Sequence, residues 1–420
     1  MGVELRPLGV ACNIMCTYCY QNPQRDAGDI GASYDMAKML EALERLNSPF
    51  TLFGGEPLLV PIEDLEALFA WGYQKFGHNT IQTNGTLITE KHIALFKKYR
   101  VSVGISIDGD EELNDVRWNG TLPRTRAATR KTMEAIERLC AEGLTPGLII
   151  TLHRFNASRR RLPRLLDWLK RLDALGIKSS RLHLLEVENE LQKRLLQLST
   201  EEYVEALITL YRFEKELHSL RFDIFTEMRN LLLALDQKTT CIWNGCDPLT
   251  TKAVQGVEGD GATSNCGRTN KDGIDFLKAE EEGFERYIAL YFTPYEYNGC
   301  RGCRFFLMCK GQCPGTAIGH DWRNRSEQCP VWMRLFEEIE SDMLAEGLAP
   351  LSLHPLREVL EKALLNAWMQ GTNKNLFSLL FSRELSKPER QIVHDFLQAN
   401  GITHRWCGET LEHIDHVGTL

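Results

Sequence analysis

Three cysteines stand close together near the start of the chain. Cys12, Cys16 and Cys19, in CNIMCTYC, have a C-x3-C-x2-C spacing. Thiolates are metal ligands, and three of them do not close a tetrahedral zinc site without a fourth ligand. The nearest histidine, His78, is far along the chain. On a four-iron cluster, three thiolates leave one iron open, which is a catalytic arrangement because a structural site is closed. A second group comprises Cys241, Cys246, Cys266, Cys300, Cys303, Cys309, Cys313 and Cys329, while Cys140 and Cys407 stand alone. Its tightest part is a C-x2-C-x5-C-x3-C run, followed by Cys329 after fifteen residues. Eight thiolates are the number that two fully ligated four-iron clusters require. Two structural zinc ions would also use eight.

The chain of 420 residues is 43% hydrophobic and 25% charged, as soluble globular proteins are, so disorder and fibrous repeats are excluded. The net charge of −8 advertises no basic face for nucleic acid or an anionic membrane. No apolar run reaches the roughly 20 residues of a membrane helix. Met1–Val10 lacks the apolar core of a signal peptide, so the expected location is the cytoplasm. Reduced thiols clustered in a cytosolic chain point to metal rather than disulfides.

The elements that must position these residues read, over 1–220, as strands alternating with amphipathic helices. Apolar runs at Val3–Leu8, Thr51–Phe53, Thr80–Gln82, Val101–Ile107, Leu148–Leu152 and Leu182–Val187 are predicted strands. Helical spacing of three and four marks Met36–Leu46, Ile62–Tyr73, Glu90–Tyr99, Arg126–Ala141, Arg161–Leu175 and Glu201–Leu220. Six successive β–α units imply an α/β fold with a parallel sheet and right-handed crossovers. Six is fewer than the eight of a closed barrel, so a partial (β/α)6 TIM-like barrel is expected. The Cys12 loop follows the first strand, at the carboxyl end where such folds build active sites. A helical linker is expected over 221–240, a Cys-rich domain over 241–345 and a C-terminal helical extension with a polar tail over 346–420. The Cys-rich stretch has little apolar periodicity, so bound metal is expected to organise it.

The triplet, with Tyr18 before its third cysteine, is similar to the signature of radical S-adenosylmethionine enzymes. Further matches follow in chain order. Gly54-Gly55-Glu56-Pro57 after the second strand resembles the family's GGEP loop, which binds the methionine amino group. Glycines let backbone carbonyls approach a ligand, and Glu56 offers a charge-assisted acceptor. QTNGT at 82–86, with Asn84, ends the third strand, and SIDG at 106–109, with Ser106 and Asp108, ends the fourth. Arg117 resembles the arginine that many relatives aim at the cofactor carboxylate. The resemblance covers about 1–220 and implies S-adenosylmethionine and a catalytic 4Fe-4S cluster on Cys12, Cys16 and Cys19. It also implies reductive cleavage to a 5′-deoxyadenosyl radical that abstracts hydrogen. The second cysteine field resembles the SPASM domain, which implies two auxiliary 4Fe-4S clusters. By analogy, Cys241, Cys246, Cys266 and Cys313 would hold one, and Cys300, Cys303, Cys309 and Cys329 the other, both serving electron relay.

Enzymes of this architecture include anaerobic sulfatase maturases and makers of thioether, carbon–carbon or ether crosslinks in ribosomal peptides; some oxidise or epimerise small molecules. The resemblance implies a peptide-modifying oxidoreductase whose substrate radical is crosslinked or oxidised. A small-molecule dehydrogenase or epimerase and a non-catalytic zinc-binding interaction protein are the alternatives. In the sulfatase maturases an Asp after the third auxiliary-cluster Cys is the expected base. Here that position is Gly267, next to Arg268, which argues against formylglycine formation. Eleven residues precede Cys12, too few for the winged-helix module that often grips a leader peptide. A separate leader-binding protein, binding by the barrel and C-terminal helices themselves, or a substrate without a leader would follow. An electron donor such as flavodoxin or ferredoxin is the other expected partner. His153 and His183, at the ends of the fifth and sixth strands, are candidate bases. Glu186 and Glu188 are placed at the same mouth, and Cys407, in HRWCGE, is a candidate hydrogen-atom donor.

Overall fold

A computed structural model describes residues 2–28, 33–187, 189–244, 246–247, 254–269 and 283–414. The chain divides into two units, Met1–Ile224 with Val254–Lys278, and Phe225–Ala253 with Ala279–Leu420.

In the first unit, β1 (Gly2–Arg6), β2 (Phe50–Leu52), β3 (Asn79–Thr83), β4 (Val101–Ser106), β5 (Gly147–Leu152) and β6 (Ser179–Leu184) pair in parallel, each with its successor. The α/β partial barrel expected from the sequence is the fold observed. Helices Met36–Leu46, Ile62–Phe76, Glu90–Lys98, Leu122–Ala141, Leu162–Ala174 and Thr200–Glu214 separate the strands or follow the last. Each strand alternates. In β4, Val101, Val103 and Ile105 are buried, whereas Ser102, Gly104 and Ser106 occupy the other face. Glu4 and Arg6, Gln82, Ser106 and His183 fall on that polar side of β1, β3, β4 and β6. A parallel sheet sealed on both faces reads as continuous aliphatic runs; this one keeps a polar face, as a sheet that lines a ligand site must.

Three more strands extend the sheet. The two-residue β7 (Arg221–Phe222) pairs with β6, β8 (Val254–Glu258) lies parallel to β1, and β9 (Thr263–Ser264) lies antiparallel to β8. Residues 254–264 thus build onto the barrel sheet, although they fall inside the range expected for the Cys-rich domain. The Arg6 side chain secures this addition by bonding Ser264 Oγ, Asn265 O (2.9 Å) and the Glu258 carboxylate. Gly256 makes room, because a Cβ there would come within 2.4 Å of Arg6 Nη2. β6 begins three residues earlier than its apolar run, at Ser179 and Ser180, so Glu186 lies in the loop beyond it. Glu188 lies outside the described residues.

Asp173 ties the helix Leu162–Ala174 to the approach of β7. Its carboxylate accepts from the backbone N–H of His218 (2.8 Å), Ser219 (2.7 Å) and Leu220 (2.8 Å). Burial works against the charge, but the three backbone donors prevail and hold its carboxyl at about 2, below its ordinary 3.8. A carboxyl depressed in the folded state stabilises above its unfolded value and loses that contribution as pH falls through the folded one. Acid titration of Asp173→Asn is therefore expected to lack a stability loss that the parent chain shows between about pH 4 and 2. Superimposable titrations would refute that role.

In the second unit, the segment expected as a helical linker forms the helix Asp223–Leu232, which begins within β7's register. Further helices are Glu285–Phe292, Cys329–Ala345, Leu356–Met369 and Lys387–Ala399. Trp368, 1% exposed, stacks on Tyr287 with centroids 4.9 Å apart, and Phe305 stacks on Phe336 at 5.1 Å. The C-terminal stretch is not helical throughout. β10 (His404–Cys407) and β11 (Thr410–His413) form an antiparallel hairpin where a polar tail was expected. Gly408, at φ 62°, supplies the left-handed turn that joins them.

Candidate functional site

The Cys12–Cys19 loop leaves β1 at its carboxyl end and is held from two sides. The first support is the 54–57 loop after β2. Gly55 N–H donates to Gly9 O (2.9 Å) and Glu56 N–H to Ala11 O (2.8 Å), immediately before Cys12. This approach explains the glycines: a Cβ on Gly55 would lie 1.9 Å from Ala11 O, and Gly54 has φ 129°. Glu56 is buried. Its carboxylate accepts from Leu58 N–H (3.0 Å), Thr83 Oγ1 (2.6 Å) and Asn84 N–H (2.8 Å), while burial pushes its carboxyl up. Glu56 thereby fastens the loop, with Pro57 opening a short turn, to the end of β3. Asn84 donates to Asn13 Oδ1 (2.8 Å) and lies 3.9 Å from Cys12 Sγ.

The second support is a buried polar network. Asp108, fully buried after β4, accepts from Tyr18 OH in the cysteine loop and from Thr151 N–H (2.8 Å) of β5. Arg117 donates to Tyr18 OH (2.8 Å) and stands 3.9 Å from the Asp108 carboxylate. His153 Nε2 is 3.7 Å from Asp108 Oδ2, and its Nδ1 accepts from Phe155 N–H (3.2 Å). That acceptance places the proton of a neutral imidazole on Nε2, toward Asp108. Burial opposes ionisation of Asp108, yet Arg117, His153 and Tyr18 outweigh it and hold the carboxyl below its ordinary range. Four residues assigned separately from the sequence thus form one network. Arg117 is engaged with the cysteine loop, and His153 is a partner of Asp108.

As free thiols these cysteines resist ionisation: burial pushes Cys16 up to about 12 and Cys12 up as well. Arg117 opposes the shift at Cys16, and Arg25 Nη2 lies 3.8 Å from Cys19 Sγ. Arg25 escaped the sequence reading; its only signal is its position six residues after Cys19. Partly buried thiols with nearby cationic and amide donors suit an iron–sulfur cluster, whose sulfurs take hydrogen bonds. Ser106 Oγ accepts from Gln82 Nε2 (2.9 Å) on the polar face of the sheet.

At the end of β6, Arg268 Nε donates to Glu186 (3.0 Å), so the neighbour of Gly267, which holds the expected base's position, is ion-paired. Burial, then Arg268 and Arg181, hold His183 well below its ordinary value, so its imidazole is neutral. Cys407 sits in the second unit on the β10–β11 hairpin, where its thiol donates to Glu412 (3.0 Å).

The second unit brings four cysteines of the second field together. Cys300, Cys303, Cys309 and Cys329 line one small cavity, with Tyr295, Gln312 and Arg325 on its wall. Burial pushes all four thiols up, Cys300 to about 12. Two buried donors on this wall, Gln312 Nε2 and Arg325 Nε, have no hydrogen-bond partner among the described residues. Orphaned donors facing four thiols fit an anionic sulfide-bearing group. Of the other set, Cys241, Cys246 and Cys313 belong to the second unit and Cys266 to the first. Among the described residues, no three His, Cys, Asp or Glu side chains form a ligand group for a single metal ion. No described helix is long and apolar enough to cross a membrane.

Residues 7–161 match the profile of the Radical SAM superfamily. The Serine-type anaerobic sulfatase-maturating enzyme of Bacteroides thetaiotaomicron is 30% identical over 170 residues, 37% of this chain and 40% of that protein. The Cysteine-type anaerobic sulfatase-maturating enzyme of Clostridium perfringens is 26% identical over 349 residues, 74% of this chain and 88% of that protein. The chain therefore spans less than half of the first relative's length in this match. Among solved structures, "Native anSMEcpe with bound AdoMet and Cp18Cys peptide" superposes with a TM-score of 0.61 at 18% identity, over 82% of this chain and 98% of that one. At that identity the likeness is one of fold.

Proposed function

We propose, from the match of residues 7–161 to the Radical SAM superfamily, that this chain is a radical SAM enzyme that modifies a ribosomally synthesised peptide by hydrogen abstraction, followed by crosslinking or oxidation. Cys12, Cys16 and Cys19 would hold the catalytic 4Fe-4S cluster, and the 54–57 backbone, Ser106 and the Asn84 loop would hold S-adenosylmethionine. Bound together, cluster and S-adenosylmethionine supply the hydrogen-abstracting radical. The residues of this chain do the rest. Glu56 and Asn84 fix the loop that meets the cofactor, and the Tyr18–Asp108–Arg117 network keeps the cysteine loop from shifting. The polar face of the sheet gives a peptide backbone groups to bond with. Cys300, Cys303, Cys309 and Cys329 would hold one auxiliary cluster, and Cys241, Cys246, Cys266 and Cys313 a second.

The observation that carries this reading is the cysteine loop clamped to the 54–57 loop beside a buried acid–arginine network. Support for a peptide substrate comes from the relatives, which mature sulfatases by name, and from the peptide bound in the structure with the same fold. Formylglycine formation is disfavoured, because Gly267 holds the expected base's position and its neighbour Arg268 is bound to Glu186. We propose His183 as the proton acceptor instead.

The test begins with anaerobically reconstituted protein. About twelve irons and twelve sulfides per chain are expected, falling to about eight of each in the Cys12→Ala, Cys16→Ala, Cys19→Ala variant. Zinc in place of iron would sink the proposal. A panel of short peptides should then raise 5′-deoxyadenosine release and lose two hydrogens per event by mass. Release stimulated instead by small polyols or amines, with peptides inert, would favour a small-molecule dehydrogenase or epimerase.

A further inference from the structure

The loop between the third and fourth cysteines of the tight run has an unusual backbone. Lys310, Gly311 and Gln312, directly after Cys309, are three consecutive residues with left-handed φ (50°, 72° and 62°). Such conformations are unfavourable for a non-glycine residue and persist only where surroundings enforce them. Arg286, 1% exposed, does the enforcing: its Nη1 donates to Lys310 O (3.0 Å) and its Nη2 to Gln312 O (2.8 Å). The result is a Gln312 side chain, 5% exposed, on the wall of the four-cysteine cavity with its Nε2 donor unpaired among the described residues. Across the same wall, Arg325 lies over the Tyr295 ring at 3.8 Å and fixes its Nη1 on Tyr295 O and Gly299 O, both at 3.2 Å. Its buried Nε is also unpaired among the described residues. Tyr295 OH donates to Met333 Sδ (3.2 Å) and is therefore already partnered, although Cys329 Sγ lies 3.9 Å away.

A strained loop that spends conformational energy to present an unsatisfied amide calls for a ligand that accepts hydrogen bonds. Thiolate and sulfide sulfurs are such acceptors, and donors to them stabilise the more negative, reduced state of a cluster. The geometry points to Gln312 and Arg325 as a donor pair that raises the reduction potential of the cluster held by Cys300, Cys303, Cys309 and Cys329. These are positioning residues, acting through the cluster and not on substrate. A raised potential makes that cluster an electron acceptor, which suits an oxidative outcome in which the substrate gives up an electron after hydrogen abstraction.

This inference rests on the auxiliary-cluster reading above, and the experiment separates the two. Redox titration followed by electron paramagnetic resonance is run on the Cys12→Ala, Cys16→Ala, Cys19→Ala protein, in which only auxiliary signals remain. Gln312→Met and Arg325→Met are then added singly and together. The double change is expected to shift one midpoint to more negative potential by a tenfold change in equilibrium constant, about 59 mV for one electron, with iron content unchanged. An unmoved midpoint with intact clusters would overturn the inference alone. Iron loss in Gln312→Met would make the residue a structural prop and overturn it too. Absence of any auxiliary signal in the background protein would overturn the auxiliary-cluster reading itself.

Discussion

Replacing Asp108 by alanine is expected to cost the first unit about 3–5 kcal/mol and to loosen the cysteine loop, the largest single-residue effect in the barrel. The carboxylate has no solvent exposure and serves four partners at once: Tyr18 OH, Thr151 N–H, Arg117 and His153. Removing it leaves Arg117, whose side chain is only 12% exposed, as a buried cation beside Tyr18 with no carboxylate to pair with. Breaking a buried pair on one side is costly for that reason, whatever the net worth of the intact pair. Asp108→Asn keeps an acceptor for Thr151 and should lose less. Tyr18→Phe removes two hydrogen bonds, one to Asp108 and one from Arg117, and should cost about 1–3 kcal/mol. The ranking Ala, Asn, then Tyr18→Phe is read from urea midpoints, with amide exchange at Thr151 reporting the local opening. An Asp108→Ala protein that melts with its parent would refute the network's structural role.

That network shows where sequence reading stops. Tyr18, Asp108, Arg117 and His153 each stood out locally, by place in a motif or at a strand end. Their mutual pairing spans up to 135 positions, from 18 to 153, and no spacing encodes it. The barrel itself was legible because β–α alternation writes apolar period two against period three to four, and the helix Met36–Leu46 matches its pattern residue for residue. β8 was not. VQGVE is short, has a glycine at its centre and lies among polar residues, and only parallel pairing with β1 makes it a strand. The β10–β11 hairpin was hidden likewise, because HRWC and TLEH carry half-exposed polar side chains. In the second cysteine field the grouping of Cys300, Cys303, Cys309 and Cys329 is what the resemblance implies, since spacing alone would put Cys313 with the first three. The role of Gln312 is not implied, since its signal is a backbone conformation and not a residue type.

Gly55→Ala is the second large effect, and it separates loop geometry from fold. One methyl group is added, yet its carbon would lie 1.9 Å from Ala11 O and 2.5 Å from Val10 O, both backbone atoms. No rotamer relieves a clash between Cβ and main chain, so one of the two loops must move. The 54–57 loop is pinned by Glu56 to Thr83, Asn84 and Leu58 at 2.6–3.0 Å. The 9–11 segment is held by the very hydrogen bonds that the methyl disrupts, from Gly55 to Gly9 and Glu56 to Ala11. The cysteine loop therefore yields, and Cys12, next in the chain, moves with it. A displacement near 1 Å at a reacting centre costs on the order of 10²-fold in rate. Reductive release of 5′-deoxyadenosine should fall by that factor, while circular dichroism stays near the parent's because no strand of the sheet passes through the clash. Gly54→Ala meets Gly9 O at 2.7 Å and carries the added strain of φ 129°, so it should behave similarly. Gly2→Ala, with open space around its Cβ and no left-handed backbone, is the control and should leave release unchanged. Parent-level release in Gly55→Ala would mean that the contact between the 54–57 loop and residues 9–11 does not set the position of Cys12.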